Sequence, residues 1–453
     1  MNSIRKYIAL QTEAAPVAVF RIFFGFMMCV SILRFWMNGW IEKFYIEPKL
    51  FFSYYGFGWI KPIGEYTYLL FIVCVLAAFF VMIGLKYRWA IGVFFVSFTY
   101  IELMDKTTYL NHYYFVSVLS FLMLFLPANA YFSIDAYLNP KKAFQKIPRW
   151  TGDSIKFLLS IVYLFAGLAK LNSDWLLKAM PLKIWLSSKY EIPLLGPFLS
   201  ENWVHYAFSW GGAFYDLAIP FLLLYRKTRP YAFGMVLIFH LLTRILFPIG
   251  MFPYIMIVAA LIFFDASVHH KILRHLSSAF RIPKIVFDNG KSLVISTLRT
   301  RVIQGILIVF FGLQIILPFR YLAYPGELFW TEEGYRFSWR VMLMEKAGYA
   351  QFKIVDGHSG RWFYVDNSDF LTGFQEKQMS FQPDFILEYA HYLRDHFESQ
   401  GHNQVEVYVE SRVTLNGRRS TPLVNPSIDL AKEKESFKHK NWINPFSDEI
   451  KGI

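Results

Sequence analysis

Two things are scarce in this 453-residue chain: cysteine, of which there are two, and charge, carried by 17% of residues. An ordinary soluble chain carries about 25% charged residues. Cys29 and Cys74 both fall in apolar runs, where a free thiol behaves as a small hydrophobe. The last third of the chain holds no cysteine, so no disulfide framework is available there. No Asn-x-Ser/Thr acceptor occurs either, and the two absences together lean towards a bacterial envelope over a secretory lumen. Also missing are H-E-x-x-H, paired CxxC, the P-loop, the dinucleotide glycine fingerprint and G-x-S-x-G. Their absence leaves zinc chemistry, nucleotide-driven chemistry and serine hydrolysis without their usual sequence support.

What the chain has instead is 55% hydrophobic and 20% aromatic residues, unevenly placed. Residues 1–320 alternate apolar runs with short basic loops, and residues 321–453 have ordinary soluble character. A span needs roughly 20 mostly apolar residues. Tyr66 to Leu85 meets this without a charge. Further runs near 15–36, 89–104, 112–128, 153–171, 206–225, 231–247, 250–265 and 301–319 bring the expectation to about nine spans. The pair around 231–265 also reads as a re-entrant hairpin. The first run shows no small-residue cleavage site and reads as a signal anchor.

Lys and Arg are retained on the cytoplasmic side of a membrane. Here Arg5 and Lys6 precede the first run, and basic clusters then follow every second one: Lys86 and Arg88, Lys141 to Arg149, Arg226 to Arg229, and Lys271 through Lys284 to Lys291. Nine crossings from a cytoplasmic start leave the C-terminal domain outside. The net charge of +13 is then accounted for by loops facing an anionic leaflet, and no nucleic acid is called for. The fold expected is a polytopic α-helical bundle over 1–320, followed by a mixed, mostly β extracytoplasmic domain over 321–453. In that domain Tyr349 to Val355 and Arg361 to Asp366 flank a glycine-bearing connection, which predicts a hairpin. Glu406 to Leu415 alternates as a strand and ends at Asn416-Gly417. Pro383 to about Gln400 reads as an amphipathic helix. The tail beyond Asn416 is expected to wrap the domain without regular structure.

Ionisable groups inside apolar runs are costly, about 2.5–3.5 kcal/mol each at mid-depth, so they mark functional sites. Lys170 stands near the outer end of the fifth run. It reads either as a lysine snorkelling to the head-group layer or as a desolvated amine serving as a general base. Asn111 and His112 stand at the junction of the third and fourth runs, and His240 near the outer end of the seventh. The basic-loop topology puts Lys170, His112 and His240 at one depth, which suggests a shared pocket. Arg21 in the first run is read as one half of a structural ion pair, with Asp216 as a possible partner.

The stretches DKTTYLNH, GLAKLNSDW and FHLLTRILFPIGMFPY, continued by YRFSWRVML, KIVDGHSG and VNPSIDL, resemble the vitamin K-dependent γ-glutamyl carboxylases. The resemblance runs collinearly over nearly the whole chain and includes the horizontally transferred transmembrane domain of that superfamily. The chain lacks the extended C-terminal part and the exterior cysteines of the animal enzymes. The resemblance implies an enzyme of the carbon–carbon lyase type that carboxylates peptide glutamate with CO₂ while vitamin K hydroquinone is epoxidised by O₂, without a metal. It implies Lys170 as the base that deprotonates the hydroquinone, with His112 and His240 lining the active site. Asn111, Tyr163, Met251 and Phe252 would contact the hydroquinone. Tyr335 and Trp339 are read as either core packing or a wall of the peptide groove. The partners implied are a glutamate-containing peptide, membrane lipid and quinone, and a separate quinone or epoxide reductase. The expected place is the bacterial inner membrane. Two alternatives are an epoxidase without native carboxylation and a membrane transporter or scaffold.

Overall fold

In the computed structural model, residues 2–282 and 287–452 are described, with side chains from Lys6 onward. Lys284 and the side chain of Arg5, both counted above among the basic loops, lie outside the described residues. A short helix α1 (Asn2–Ala9) leads through β1 (Gln11–Glu13) into α2 (Ala15–Met37). Then come α3 (Tyr66–Ile83), α4 (Tyr87–Leu103) and α5 (Asn111–Met123). Strand β2 (Lys146–Pro148) pairs with β1 and opens α6 (Trp150–Leu168). The bundle continues through α7 (Asn202–Leu224), α8 (Arg229–Leu246), α9 (Phe252–Ala260), α10 (Ala266–Phe280) and α11 (Thr297–Ile316).

A helix therefore stands at each of the nine apolar runs, but not all have the dimensions of a span. Among the described residues five stretches are long and apolar enough to cross a membrane: Ala15–Met37, Tyr66–Ile83, Trp150–Leu168, Asn202–Leu224 and Thr297–Ala323. α4 and α5 have 17 and 13 residues, short of the roughly 20 that a crossing takes. Phe252–Phe263 meets Ala266–Ala279 at a bend of 119°, so the last part of the bundle before α11 is a broken segment.

The C-terminal region is α+β. Strands β3 (Lys346–Val355), β4 (Trp362–Tyr364), β5 (Glu406–Leu415) and β6 (Thr421–Pro422) form one antiparallel sheet in the order β4-β3-β5-β6. Helices α12 (Gly373–Met379) and α13 (Pro383–Ser399) are inserted between β4 and β5. The expected hairpin, helix and long strand are present, while the tail beyond Asn416, expected to lack regular structure, adds the two-residue β6 to the sheet and shows isolated bridges beyond it. The mostly β expectation is corrected: β4 and β6 are three and two residues long. α12, with its Thr372–Gln375 capping box, adds a helix that periodicity does not predict. The buried stripe of α13, including Phe385, Tyr389, Leu393 and Phe397, lies in one apolar cluster with the inward face of β3 and β5.

Domain and bundle are joined by buried charge. Lys106, 3% exposed, stands in the α4–α5 turn and reaches Asp384 at 3.1 Å and Glu388 at 2.8 Å, both on α13. Arg336 meets the same Asp384 at 2.7 Å. Burial alone would raise the Asp384 carboxyl, but the charges of Arg336 and Lys106 outweigh it and hold the group below the ordinary carboxylate range. Gln375 adds a bond to the Leu50 carbonyl at 2.6 Å, and Glu388 accepts from the Ser53 backbone at 2.7 Å.

Replacing Lys106 with Met leaves Glu388 without its cation and Asp384 with Arg336 alone, and breaking a buried pair in this way costs up to about 3–5 kcal/mol. Thermal unfolding of the purified protein in lipid nanodiscs should report it as a clear drop in midpoint. A depressed carboxylate contributes stability that is complete above its unfolded value, about 4, and is lost as pH falls below that. Acid should therefore loosen the wild-type interface and affect Asp384→Asn less.

Candidate active site

α6 and α7 cross at Gly167. A Cβ there would stand 2.7 Å from Leu217 Cγ and 2.9 Å from the Leu217 backbone nitrogen. Only a residue without a Cβ lets the helices meet so closely. The crossing brings Lys170, two residues past the end of α6, against Asp216 on α7. Lys170 Nζ donates to Asp216 Oδ2 at 2.8 Å and to the Ala166 carbonyl at 3.1 Å. Lysine and aspartate are 6% and 5% exposed, so the amine is turned inward and does not snorkel. Pro220 sits four residues beyond Asp216 within α7. Lacking an N–H, it cannot close the helical hydrogen bond onto the Asp216 carbonyl.

The pairing expected between Arg21 and Asp216 does not occur. Arg21 Nη2 donates to the Phe132 carbonyl at 2.6 Å. Arg21 lies in the second turn of α2, beside the Gly84 turn that ends α3. The Gly84 turn is at the end of the bundle away from the C-terminal domain, and Asp216 is occupied by Lys170.

Other groups gather around the pair. The Trp175 ring lies 5.3 Å from Lys170 Nζ, anchored by its indole N–H to the Ser209 carbonyl at 2.8 Å. His240 Nε2 is 3.1 Å from the Tyr163 hydroxyl, linking α8 to α6. Tyr215 and Phe239 stack at 4.0 Å, locking α7 to α8. The His112 ring packs against Phe252 at 5.7 Å. Asn111 spends its amide on structure: it donates to the Arg340 carbonyl at 2.8 Å and accepts from the Tyr109 hydroxyl at 3.1 Å.

Between these elements lies a cavity of about 360 Å³. Lys170, His112, His240, Asn111, Tyr163, Met251 and Phe252 all line it. Tyr335 and Trp339 do not. Trp339 is 1% exposed, with its ring 4.7 Å from Tyr114, and Tyr335 packs on Phe329 at 6.1 Å. Their segment reaches the cavity through Val341 and Met342. Trp339 and Met342 hold left-handed backbone, at φ +57° and +52°, a strain of about 1–3 kcal/mol each that the surrounding packing must hold. Among the described residues no group of three or more His, Cys, Asp or Glu side chains is placed to hold a metal ion.

The turn that carries Lys170 is fixed from the C-terminal domain. Asn172 caps the next helical turn by accepting from the Trp175 backbone at 2.9 Å. Asp174 takes both arms of Arg418, at 2.6 and 2.7 Å, and the Asn416 amide at 2.8 Å. Burial works against this carboxylate, but Arg418 and Asn416 overcome it and hold the group below its usual range. The tail closes the clamp with Ser173 N–H donating to the Lys451 carbonyl at 2.7 Å.

Sequence reading missed Asp216 as the lysine's partner and missed Arg34, which also lines the cavity. The signal for both was the one that found Lys170, a charge inside an apolar run.

The sequence matches the HTTM domain family over residues 10–267 and the lumenal domain of the vitamin K-dependent gamma-carboxylases over residues 299–449. The first match covers more than half of the chain, so the chain belongs to the HTTM-domain family. The two matches together make it a γ-glutamyl carboxylase-type protein. No solved structure matches it.

Gly167→Ala should separate α6 from α7, because one contact of the added methyl is a backbone atom that cannot rotate away. Overpacking of this kind costs about 1–3 kcal/mol. A thermal midpoint equal to wild type would show that the crossing relaxes freely.

Proposed function

We propose that the chain carboxylates peptide glutamate to γ-carboxyglutamate, coupled to epoxidation of vitamin K hydroquinone with O₂ and CO₂. The observation that carries the reading is the buried Lys170–Asp216 pair at the wall of a largely apolar cavity. The residues fit a hydroquinone head-group: Phe239, Phe252, Met251 and Trp175 offer apolar contact, while His240 with Tyr163, and His112, offer partners for the ring oxygens. When bound, the hydroquinone together with O₂ supplies the strong base that removes the glutamate γ-proton, and CO₂ adds to the resulting carbanion.

The chain's own part is to hold, to orient and to move one proton. A lysine that already carries its proton cannot accept another. Transfer across the 2.8 Å bond from Lys170 Nζ to Asp216 Oδ2 turns the ion pair into an amine and a carboxylic acid without changing the net charge. The freed amine then takes the hydroxyl proton of the hydroquinone as general base. Trp175 covers the amine on one side, and a water-poor site protects the base and the carbanion from quenching. Asn111, already bonded on both sides, orients the loop at His112 and offers its remaining lone pair and N–H. Tyr335 and Trp339 back the peptide-side wall that Val341 and Met342 form.

The same reading makes the chain a nine-crossing protein of the bacterial inner membrane with the C-terminal domain outside the cytoplasm, supported by the basic loops after every second run. The hydroquinone then arrives through lipid, the peptide through water, and a separate reductase restores the quinol.

The test uses the full chain in lipid nanodiscs with reduced vitamin K, O₂, labelled CO₂ and a glutamate peptide. Label in the peptide should appear together with epoxide. Lys170→Ala should lose both products by about 10²–10⁴-fold while remaining folded. Epoxide without label would leave an epoxidase only, and a fully active Lys170→Ala would remove the base assignment.

A further inference from the structure

We propose that Arg34 is the carboxylate-binding residue of the cavity, holding the side-chain carboxylate of the substrate glutamate; this rests on the function proposed above. Arg34 stands in the last turn of α2 and lines the cavity. Its guanidinium lies 4.9 Å from the Trp40 ring, and Trp40 lines the same space. Among the described residues Arg34 forms no salt bridge, whereas Lys170 is paired. Among the described residues Asp216 is the one acid in the cavity lining, set against Arg34 and Lys170. With Lys170 and Asp216 neutralising each other at 2.8 Å, one positive charge is left over, and it belongs to Arg34.

A carboxylate is the ligand that this surplus fits. The guanidinium offers parallel N–H donors that match both carboxylate oxygens, and stacking on an aromatic face fixes its plane. The chemistry needs such a group. Removing the γ-proton breaks a C–H bond, sends the proton to the base, and leaves the electron pair on a carbon that already bears a carboxylate. The pair spreads onto the carboxylate oxygens, so the site must hold a second negative charge until the carbon bonds to CO₂. A fixed cation on those oxygens favours the doubly charged state more than the ground state, which is the condition for lowering a barrier.

The test measures binding and turnover separately, with a glutamate peptide and its glutamine counterpart, on wild type, Arg34→Gln and Arg34→Lys in nanodiscs. Wild type should prefer the glutamate peptide by at least about tenfold, as one lost charge-assisted contact implies. Arg34→Gln should lose that preference, Arg34→Lys should keep part of it, and both should bind the hydroquinone as wild type does. In turnover, KM for the peptide should rise and kcat fall in Arg34→Gln, with partial rescue by added guanidinium. Equal binding of the glutamate peptide by wild type and Arg34→Gln, or no preference in wild type, overturns the assignment. A preference that depends on Arg34 without label entering the peptide keeps the carboxylate site and sinks the carboxylase reading instead.

Discussion

The buried bond between Lys170 and Asp216 is the constraint around which the rest of the molecule is arranged. Two opposite charges removed from water are costly even when paired, and leaving either one alone is worse. Both elements that carry them must therefore be held in register. Gly167 sets the approach of α6 to α7, and Pro220 leaves the Asp216 carbonyl without its helical bond. The Tyr215–Phe239 stack and the His240–Tyr163 contact extend the same alignment to α8. An apolar bundle supplies the low dielectric, and this group of contacts supplies the geometry.

The C-terminal domain completes that geometry instead of sitting beside it. Arg418 and Asn416 grip Asp174 four residues beyond Lys170, and the tail bonds to Ser173 next to it. At the other side of the cavity, Asn111 ties the first turn of α5 to the Arg340 carbonyl. The second region is thus a structural partner of the cavity on two walls, and the Lys106–Asp384–Arg336 cluster keeps it there. Such charge clusters stabilise little in themselves but penalise every misaligned alternative.

Where local pattern decides, the sequence was legible. The helix at Pro383 and the strand at Glu406–Leu415 start where periodicity and proline put them, because one buried face fixes the period. Lys170, His112 and His240 stand out because a charge or an imidazole in an apolar run is conspicuous, and all three line the same cavity. Pairing was not legible. Asp216 was matched to the wrong cation because partners are chosen across a helix crossing whose closeness depends on a glycine, and neither leaves a mark on hydropathy. Trp339 was equally ambiguous: its left-handed backbone and its seat against Tyr114 depend on distant packing. Helix length does not settle the number of crossings, because α4, α5 and α9 are apolar yet short.

If the cavity carboxylates glutamate as proposed, the surplus charge on its wall also bears on how the modified side chain leaves. A side chain with one carboxylate brings the wall to neutrality, whereas one with two exceeds it by a full negative charge in a space poor in water. Entry is then favoured and retention is not. On the proposed function the site would then empty by electrostatic mismatch after each cycle, and a peptide held elsewhere along its length could present its next residue without first dissociating.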